Sequence, residues 1–79
     1  MEYDSLLRDL ENGHEIEFVW NDIKISIHCK LPQKWYFTIV GADITFEFNS
    51  VHELLKHISF RDGKSFSEIL GEITDYILY

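Results

Sequence analysis

The chain has 79 residues, of which 46% are hydrophobic and 15% aromatic, so it is long enough for one domain and too apolar to be disordered. Its formal net charge of −7 argues against direct binding to DNA or RNA, because a field of this sign repels phosphates. The charge either steers the protein toward a basic surface or serves only solubility. The single cysteine excludes an internal disulfide, and neither a signal sequence nor a membrane-spanning apolar run is present. We therefore expect one soluble, cytoplasmic domain over residues 1–79.

The N-terminal segment, residues 2–12, has the apolar spacing of an amphipathic helix. Its apolar positions recur every three or four residues, at Tyr3, Leu6, Leu7 and Leu10. Gly13 follows, and glycine commonly ends a helix because it adopts the left-handed conformation without a Cβ penalty.

The next part of the chain predicts four strands, because apolar and polar residues alternate there as they do in strands with one buried face. These segments are residues 15–20, 23–31, 35–40 and 43–48. Asn21-Asp22, Pro32 and Gly41-Ala42 separate them and favour turns. The turns predict a register in which apolar residues face each other: Trp20 with Ile23, Phe18 with Ile25, Ile16 with Ile27, Ile39 with Ile44, Phe37 with Phe46, and Trp35 with Phe48.

Two more helices are predicted from capping boxes, in which a serine caps the helix and a glutamate three residues later reaches back. Ser50 with Glu53 begins a short helix, and Ser65 with Glu68 begins a terminal helix that runs nearly to Tyr79. The fold class is therefore α+β: a four-stranded antiparallel β-meander with the N-terminal helix and two C-terminal helices packed on one face. Its predicted core comprises Phe18, Ile25, Ile27, Phe37, Ile39, Phe46, Leu54 and Ile73.

Three stretches of the sequence carry a resemblance: residues 34–37 (Lys-Trp-Tyr-Phe), residues 48–55, and residues 60–70 with an Asp-Gly-Lys-Ser turn into a helix. In these stretches the chain resembles small uncharacterised α+β proteins of Gram-positive bacteria and their phages. The resemblance covers mainly the C-terminal half. It implies a mobile-element origin and assigns no catalytic residue.

Features that could carry chemistry have simpler structural explanations. Gly63-Lys64-Ser65 is similar to the end of a phosphate-binding loop, but that loop needs a glycine where this chain has Ile58. His52 and His57 lack the i, i+4 spacing of a helical zinc pair, and Cys29 lies on the apolar face of its strand as a small buried hydrophobe. We predict no catalytic residue, no metal and no cofactor, and we do not expect an enzyme.

The face of the sheet turned away from the helices, here called the open face, is the predicted interaction surface. Tyrosine is favoured at protein interfaces, and Tyr36 lies there among the other predicted partner-binding residues, Glu15, Glu17, His28, Thr38 and Glu47. The alternative for Tyr36 is an exposed strand residue that packs on its cross-strand neighbours. The expected function is a non-enzymatic acidic module that covers a basic or nucleic-acid-binding surface of a partner protein, for example as an inhibitor of a defence nuclease. A self-assembling structural homo-oligomer and a small enzyme of unknown reaction are the alternatives, and the terminal helix is the alternative binding surface.

Overall fold

A computed structural model describes residues 2–30, 34–60 and 63–79 of the chain. Its helices and strands are α1 (Tyr3–Glu11), β1 (Ile16–Trp20), β2 (Ile23–Lys30), β3 (Lys34–Ile39), β4 (Ile44–Phe48), α2 (Val51–His57), α3 (Phe66–Ile69) and β5 (Thr74–Leu78). The strands form one antiparallel sheet in the order β4-β3-β2-β1-β5. The α+β class and the antiparallel sheet are thus as the sequence predicts.

The first four strands pair in the register that the apolar pattern predicts. Phe18 faces Ile25 across the first hairpin, and Phe37 faces Phe46 across the third. The Asn21-Asp22 turn has positive φ at both residues, 51° and 63°, which is the geometry that matches the twist of a two-residue hairpin. The predicted turn at Pro32, the end of the second predicted strand and Asp62 lie outside the described residues.

The caps of α2 and α3 are also confirmed. The Ser50 side chain accepts a hydrogen bond from the Glu53 N–H at 3.1 Å, and the Glu53 carboxylate accepts one from the Asn49 N–H. The Glu68 carboxylate accepts hydrogen bonds from both the N–H and the hydroxyl of Ser65, which lowers the pKa of Glu68. The serines therefore begin helices where the sequence indicates.

The predicted terminal helix is wrong beyond its first turn. Helix α3 ends at Ile69, and Thr74–Leu78 forms β5, which pairs with β1 at the edge that the four-stranded meander would leave open. Gly71 disfavours a longer helix, and this segment is rich in the β-branched and aromatic residues that suit a strand. The backbone groups on the outer side of β1 gain hydrogen-bonding partners from β5. The stabilisation from this pairing outweighs the stabilisation that the apolar spacing would give a helix.

The core lies between the sheet and the helices. Five of the eight predicted core residues are buried: Phe18, Ile25, Ile27, Phe37 and Leu54. Ile39 and Ile73 are partly buried and pack against them. Phe60, Phe66 and Phe37 add edge-to-face contacts, with centroids of Phe60 and Phe66 4.9 Å apart.

Phe46 is the exception, and its predicted burial is wrong because 46% of it is exposed. The terminal segment, expected to lie over the sheet as a helix, lies beside β1 instead. The apolar side of β4 consequently keeps Ile44 exposed as well. Cys29 is only partly buried. Among the described helices, none is long and apolar enough to cross a membrane.

Candidate functional site

The open face carries every predicted partner-binding residue, because strand alternation places them opposite the buried side chains. Three lysines share this face with them, so the sheet presents a mixed polar surface. On β1 to β4 and beside them, its charged, hydroxyl and aromatic members are Glu15, Glu17, Lys24, Ser26, His28, Lys30, Lys34, Tyr36, Thr38, Thr45 and Glu47. Tyr79 joins them from the C-terminal segment.

Tyr36 is held by neighbours on both sides. Its hydroxyl donates a hydrogen bond to Glu47 Oε1 at 2.9 Å, and its ring stacks on His28 with centroids 5.3 Å apart. Lys30 Nζ lies 5.7 Å from the ring centroid. The hydrogen bond to Glu47 raises the pKa of Tyr36, because the carboxylate stabilises the protonated phenol. The structure therefore brings His28, Tyr36 and Glu47 together as one cluster, with the aromatic ring fixed across three strands.

A second cluster forms around Glu17, which the Tyr79 hydroxyl and Lys24 both contact. The Tyr79 hydrogen bond is the larger cause, and Lys24 Nζ, at 3.4 Å, the smaller cause, of a lowered pKa at Glu17. Glu15 exchanges backbone hydrogen bonds with Tyr79. Tyr79 is not among the predicted partner-binding residues, because its apolar neighbours have the spacing of a helix that runs nearly to the C-terminus. The run of β-branched and aromatic residues at 73–79 was the signal that could have found it.

Thr38 takes part in neither cluster. Its hydroxyl lies 3.2 Å from the hydroxyl of Thr45 on the next strand, a cross-strand pair of the kind that steadies a sheet. The five other predicted residues therefore divide between two clusters, and Thr38 bridges β3 to β4 beside them.

The negative charge is not concentrated on the open face. That face carries three glutamates and three lysines. Outside it, the described residues include ten acidic and three basic side chains. Asp22, Asp43 and Asp75 lie at turns or irregularities with positive φ, and most of the others lie on or beside helices. The acidic field therefore surrounds a sheet face that is itself electrically balanced.

The opposite side of the sheet contains an apolar cavity of about 420 Å³ beside β4. Its lining residues are Trp20, Ile23, Ile25, Phe37, Ile39, Phe46, Phe48, His57, Ile58, Ser59 and Phe60. Its polar side chains are a histidine and a serine at or just beyond the end of α2, and no carboxylate or lysine is among its lining residues. The cavity therefore offers mainly apolar contact.

Lys64 of the phosphate-loop-like segment and His52 of the candidate zinc pair each contact a glutamate. Lys64 Nζ forms an ion pair with Glu72 at 3.0 Å, and His52 lies 3.3 Å from Glu11. Over residues 2–30, 34–60 and 63–79, no three His, Cys, Asp or Glu side chains are close enough to hold a metal ion. Comparisons of the chain with protein-family models, with curated proteins and with solved structures gave no match.

Proposed function

We propose that this protein is a non-enzymatic binding module that covers a basic surface of a partner protein with its open sheet face. The observation that carries the proposal is the cluster around Tyr36, where an aromatic ring is fixed between a histidine, a lysine and a carboxylate. A rigid tyrosine contributes contact area at little cost in side-chain entropy. Glu17 and Glu47, each of which accepts a hydrogen bond from a tyrosine on the same face, provide further carboxylate acceptors for arginine or lysine of the partner.

The acidic side chains outside the open face support the same proposal in a different way. They lie outside the proposed contact surface, so we expect them to act by steering the approach of the partner rather than by direct contact. Long-range charge raises mainly the association rate, whereas contact residues determine mainly the dissociation rate. The two sets of acids should thus have separable kinetic effects.

The narrowest form of the proposal is an inhibitor of a nuclease, encoded by a phage or another mobile element. Such a protein would present carboxylates where the nuclease binds phosphates, and nucleic acid would then compete with it. Its negative field and small size support this form. Competition by DNA or RNA for the captured partner is the measurement that distinguishes it from binding to a basic surface unrelated to nucleic acid.

The test uses two triple variants that each remove three negative charges. Glu15→Gln, Glu17→Gln and Glu47→Gln change the open face and keep amide oxygens that can accept the tyrosine hydrogen bonds. Asp22→Asn, Asp43→Asn and Asp75→Asn change the turns, where asparagine tolerates the positive φ of the aspartates. Immobilised parent protein captures partners from a bacterial extract, and the kinetics of each purified partner are then measured against all three proteins.

Both variants should associate more slowly than the parent, by a similar factor. High salt should abolish this difference from the parent, because the screening length is only about 10 Å at 0.1 M salt and falls as salt rises. Only the open-face variant should speed dissociation, by about tenfold, if paired contacts are lost. Tyr36→Ala should do the same, whereas Tyr3→Ala, a tyrosine on α1, should not. Equal dissociation rates for all variants would exclude the open face as the contact surface.

A further inference from the structure

The outer edge of β4 is a row of backbone groups with no strand beside it among the described residues. The Val40 N–H donates to the Lys24 carbonyl at 3.0 Å, which sets the alternation of hydrogen-bonded pairs across β2, β3 and β4. It follows that Phe46 directs its N–H and C=O toward β3. Thr45 and Glu47 direct theirs outward, away from the sheet.

This edge has few of the usual protections against strand pairing. Natural edge strands are shielded by short length, charged side chains (especially lysine), proline or a bulge. Ile44–Phe48 is five residues long and carries one charge, Glu47, but it has no lysine, no proline and no bulge, since its pairing with β3 is continuous. The other edge strand, β5, is interrupted by a register shift opposite Glu17 and Val19 and has φ of 49° at Asp75. Of the two edges, only β4 is a regular template for another strand.

The sequence of β4 is complementary to itself in one antiparallel register. With Phe46 opposite Phe46 of a second copy, Ile44 faces Phe48 and Thr45 faces Glu47. Apolar side chains then meet on the cavity side, and the outward groups of Thr45 and Glu47 bond each other. A shift by two residues in one direction opposes Glu47 to Glu47, and in the other Asp43 to Glu47. Like charges placed directly opposite destabilise a sheet.

We propose that two copies of this chain pair through β4, antiparallel about a two-fold axis at Phe46. The pairing joins two five-stranded sheets into one and makes their open faces continuous. The phenyl ring of Phe46, 46% exposed and part of the cavity lining, gains a symmetric neighbour. Two five-residue strands bury less than the roughly 1,600 Å² of a standard stable interface, so the dimer forms in a concentration-dependent manner.

Salt separates this pairing from the proposed partner binding. Each copy carries a net charge of −7, so two copies repel, and screening by salt strengthens their association. Binding to a basic partner weakens under the same change. The pairing does not depend on the proposed function, and the opposite salt responses make the failure of either one recognisable.

The test is a cysteine cross-link in a Cys29→Ser background, which removes the native thiol. Facing residues in a non-hydrogen-bonded antiparallel pair have Cα atoms about 4.5 Å apart, within the range that a disulfide bridges. Phe46→Cys should therefore form a disulfide-linked dimer under mild oxidation at least about tenfold faster than Ile44→Cys. Ile44 is the matched control, because it lies on the same strand, is 43% exposed and faces Phe48 rather than itself. Ile77→Cys on β5 should cross-link no faster than Ile44→Cys, and faster cross-linking there than in Phe46→Cys would overturn pairing through β4.

Sedimentation across a concentration series gives a second readout that needs no cysteine. Phe46→Lys places like charges at the two-fold axis and should weaken self-association by at least about tenfold, while a thermal melt checks that it folds. Equal cross-linking rates for Phe46→Cys and Ile44→Cys would overturn the proposed register. A parent protein that remains a monomer at every concentration and at high salt would overturn the pairing, including the case in which this edge binds a different chain.

Discussion

At each edge of the sheet, a tyrosine–glutamate hydrogen bond on the open face joins the edge strand to its neighbour. The two edges differ in how much of the chain separates the edge strand from that neighbour. Tyr36 bonds Glu47 between β3 and β4, and Tyr79 bonds Glu17 between β5 and β1. Strand β4 follows β3 directly through a short turn, whereas β5 meets β1 after most of the chain has intervened. Closing that long loop costs more conformational entropy. A local pattern can thus specify the β4 edge, while the β5 edge depends on the rest of the fold.

The largest expected effect is on the free energy of unfolding, when each of the two phenylalanines that face each other across β3 and β4 is replaced. Phe37→Ala should lower the free energy of unfolding by about 3–5 kcal/mol, since its side chain is almost fully buried. Phe46→Ala should cost only about 1 kcal/mol, because a half-exposed phenyl ring contributes about half the transfer free energy. Denaturant unfolding, at concentrations low enough to keep the protein monomeric, measures both. Similar losses would mean that β4 is covered by more protein than the fold describes.

A smaller effect distinguishes the β5 strand from the helix that the apolar spacing predicts. Because Tyr79 and Glu15 exchange both backbone hydrogen bonds, Ile77 directs its N–H toward β1 and Leu78 directs its N–H outward. Ile77→Pro should therefore cost about 2 kcal/mol, through the lost ladder bond and the clash beside it. Leu78→Pro should cost less than about 1 kcal/mol, because proline is tolerated where the N–H faces away.

The two proline variants are matched, since both side chains are exposed, by 55% and 39%. A helical terminal segment would be disrupted by either proline to the same extent. Equal losses of stability would therefore contradict β5, and a difference of the expected sign would support it.

The smallest expected effect is on the pH dependence of stability, to which each of the two tyrosine–glutamate bonds contributes. Each bond raises the pKa of its tyrosine above the ordinary value of 10.0, so the folded chain holds the phenol proton more tightly. The stabilisation is present below pH 10.0 and is lost as the pH rises through the raised pKa. Absorbance titration of phenolate should show two late-titrating tyrosines, one of which disappears in Tyr36→Phe and the other in Tyr79→Phe.

The β5 bond should also respond to acid, through Glu17. Tyr79, and secondarily Lys24, lower the pKa of Glu17 below 4.5, so this stabilisation is present above pH 4.5 and is lost as the pH falls through the lowered pKa. Tyr79→Phe should reduce the acid-side loss that comes from Glu17, because it removes the larger cause of the lowered pKa of that residue. A Tyr79→Phe protein with the acid response of the parent would contradict the contact between β5 and Glu17.

Alternation and turn residues were enough to predict four strands, their register, the first helix and the two serine caps. Each of these depends on residues close together in sequence, so the chain's own pattern contains the information. The predicted members of the candidate site were placed on one face for the same reason. Their division into clusters around Tyr36 and Glu17 was not predicted, because one cluster needs Tyr79, whose position is set by a long-range pairing.

The sequence alone could not decide whether residues 70–79 form a helix or a strand. The spacing of Ile69, Ile73 and Ile77 fits a helix, and the β-branched and aromatic content of the same segment fits a strand. The sequence by itself determined the meander, whose hairpins are local and whose apolar faces match in one register only. The tertiary structure decided the fifth strand, the exposure of Phe46 and the position of the β5 edge. The outer backbone groups of β1 required hydrogen-bonding partners, and only the assembled sheet brought the terminal segment within reach of them.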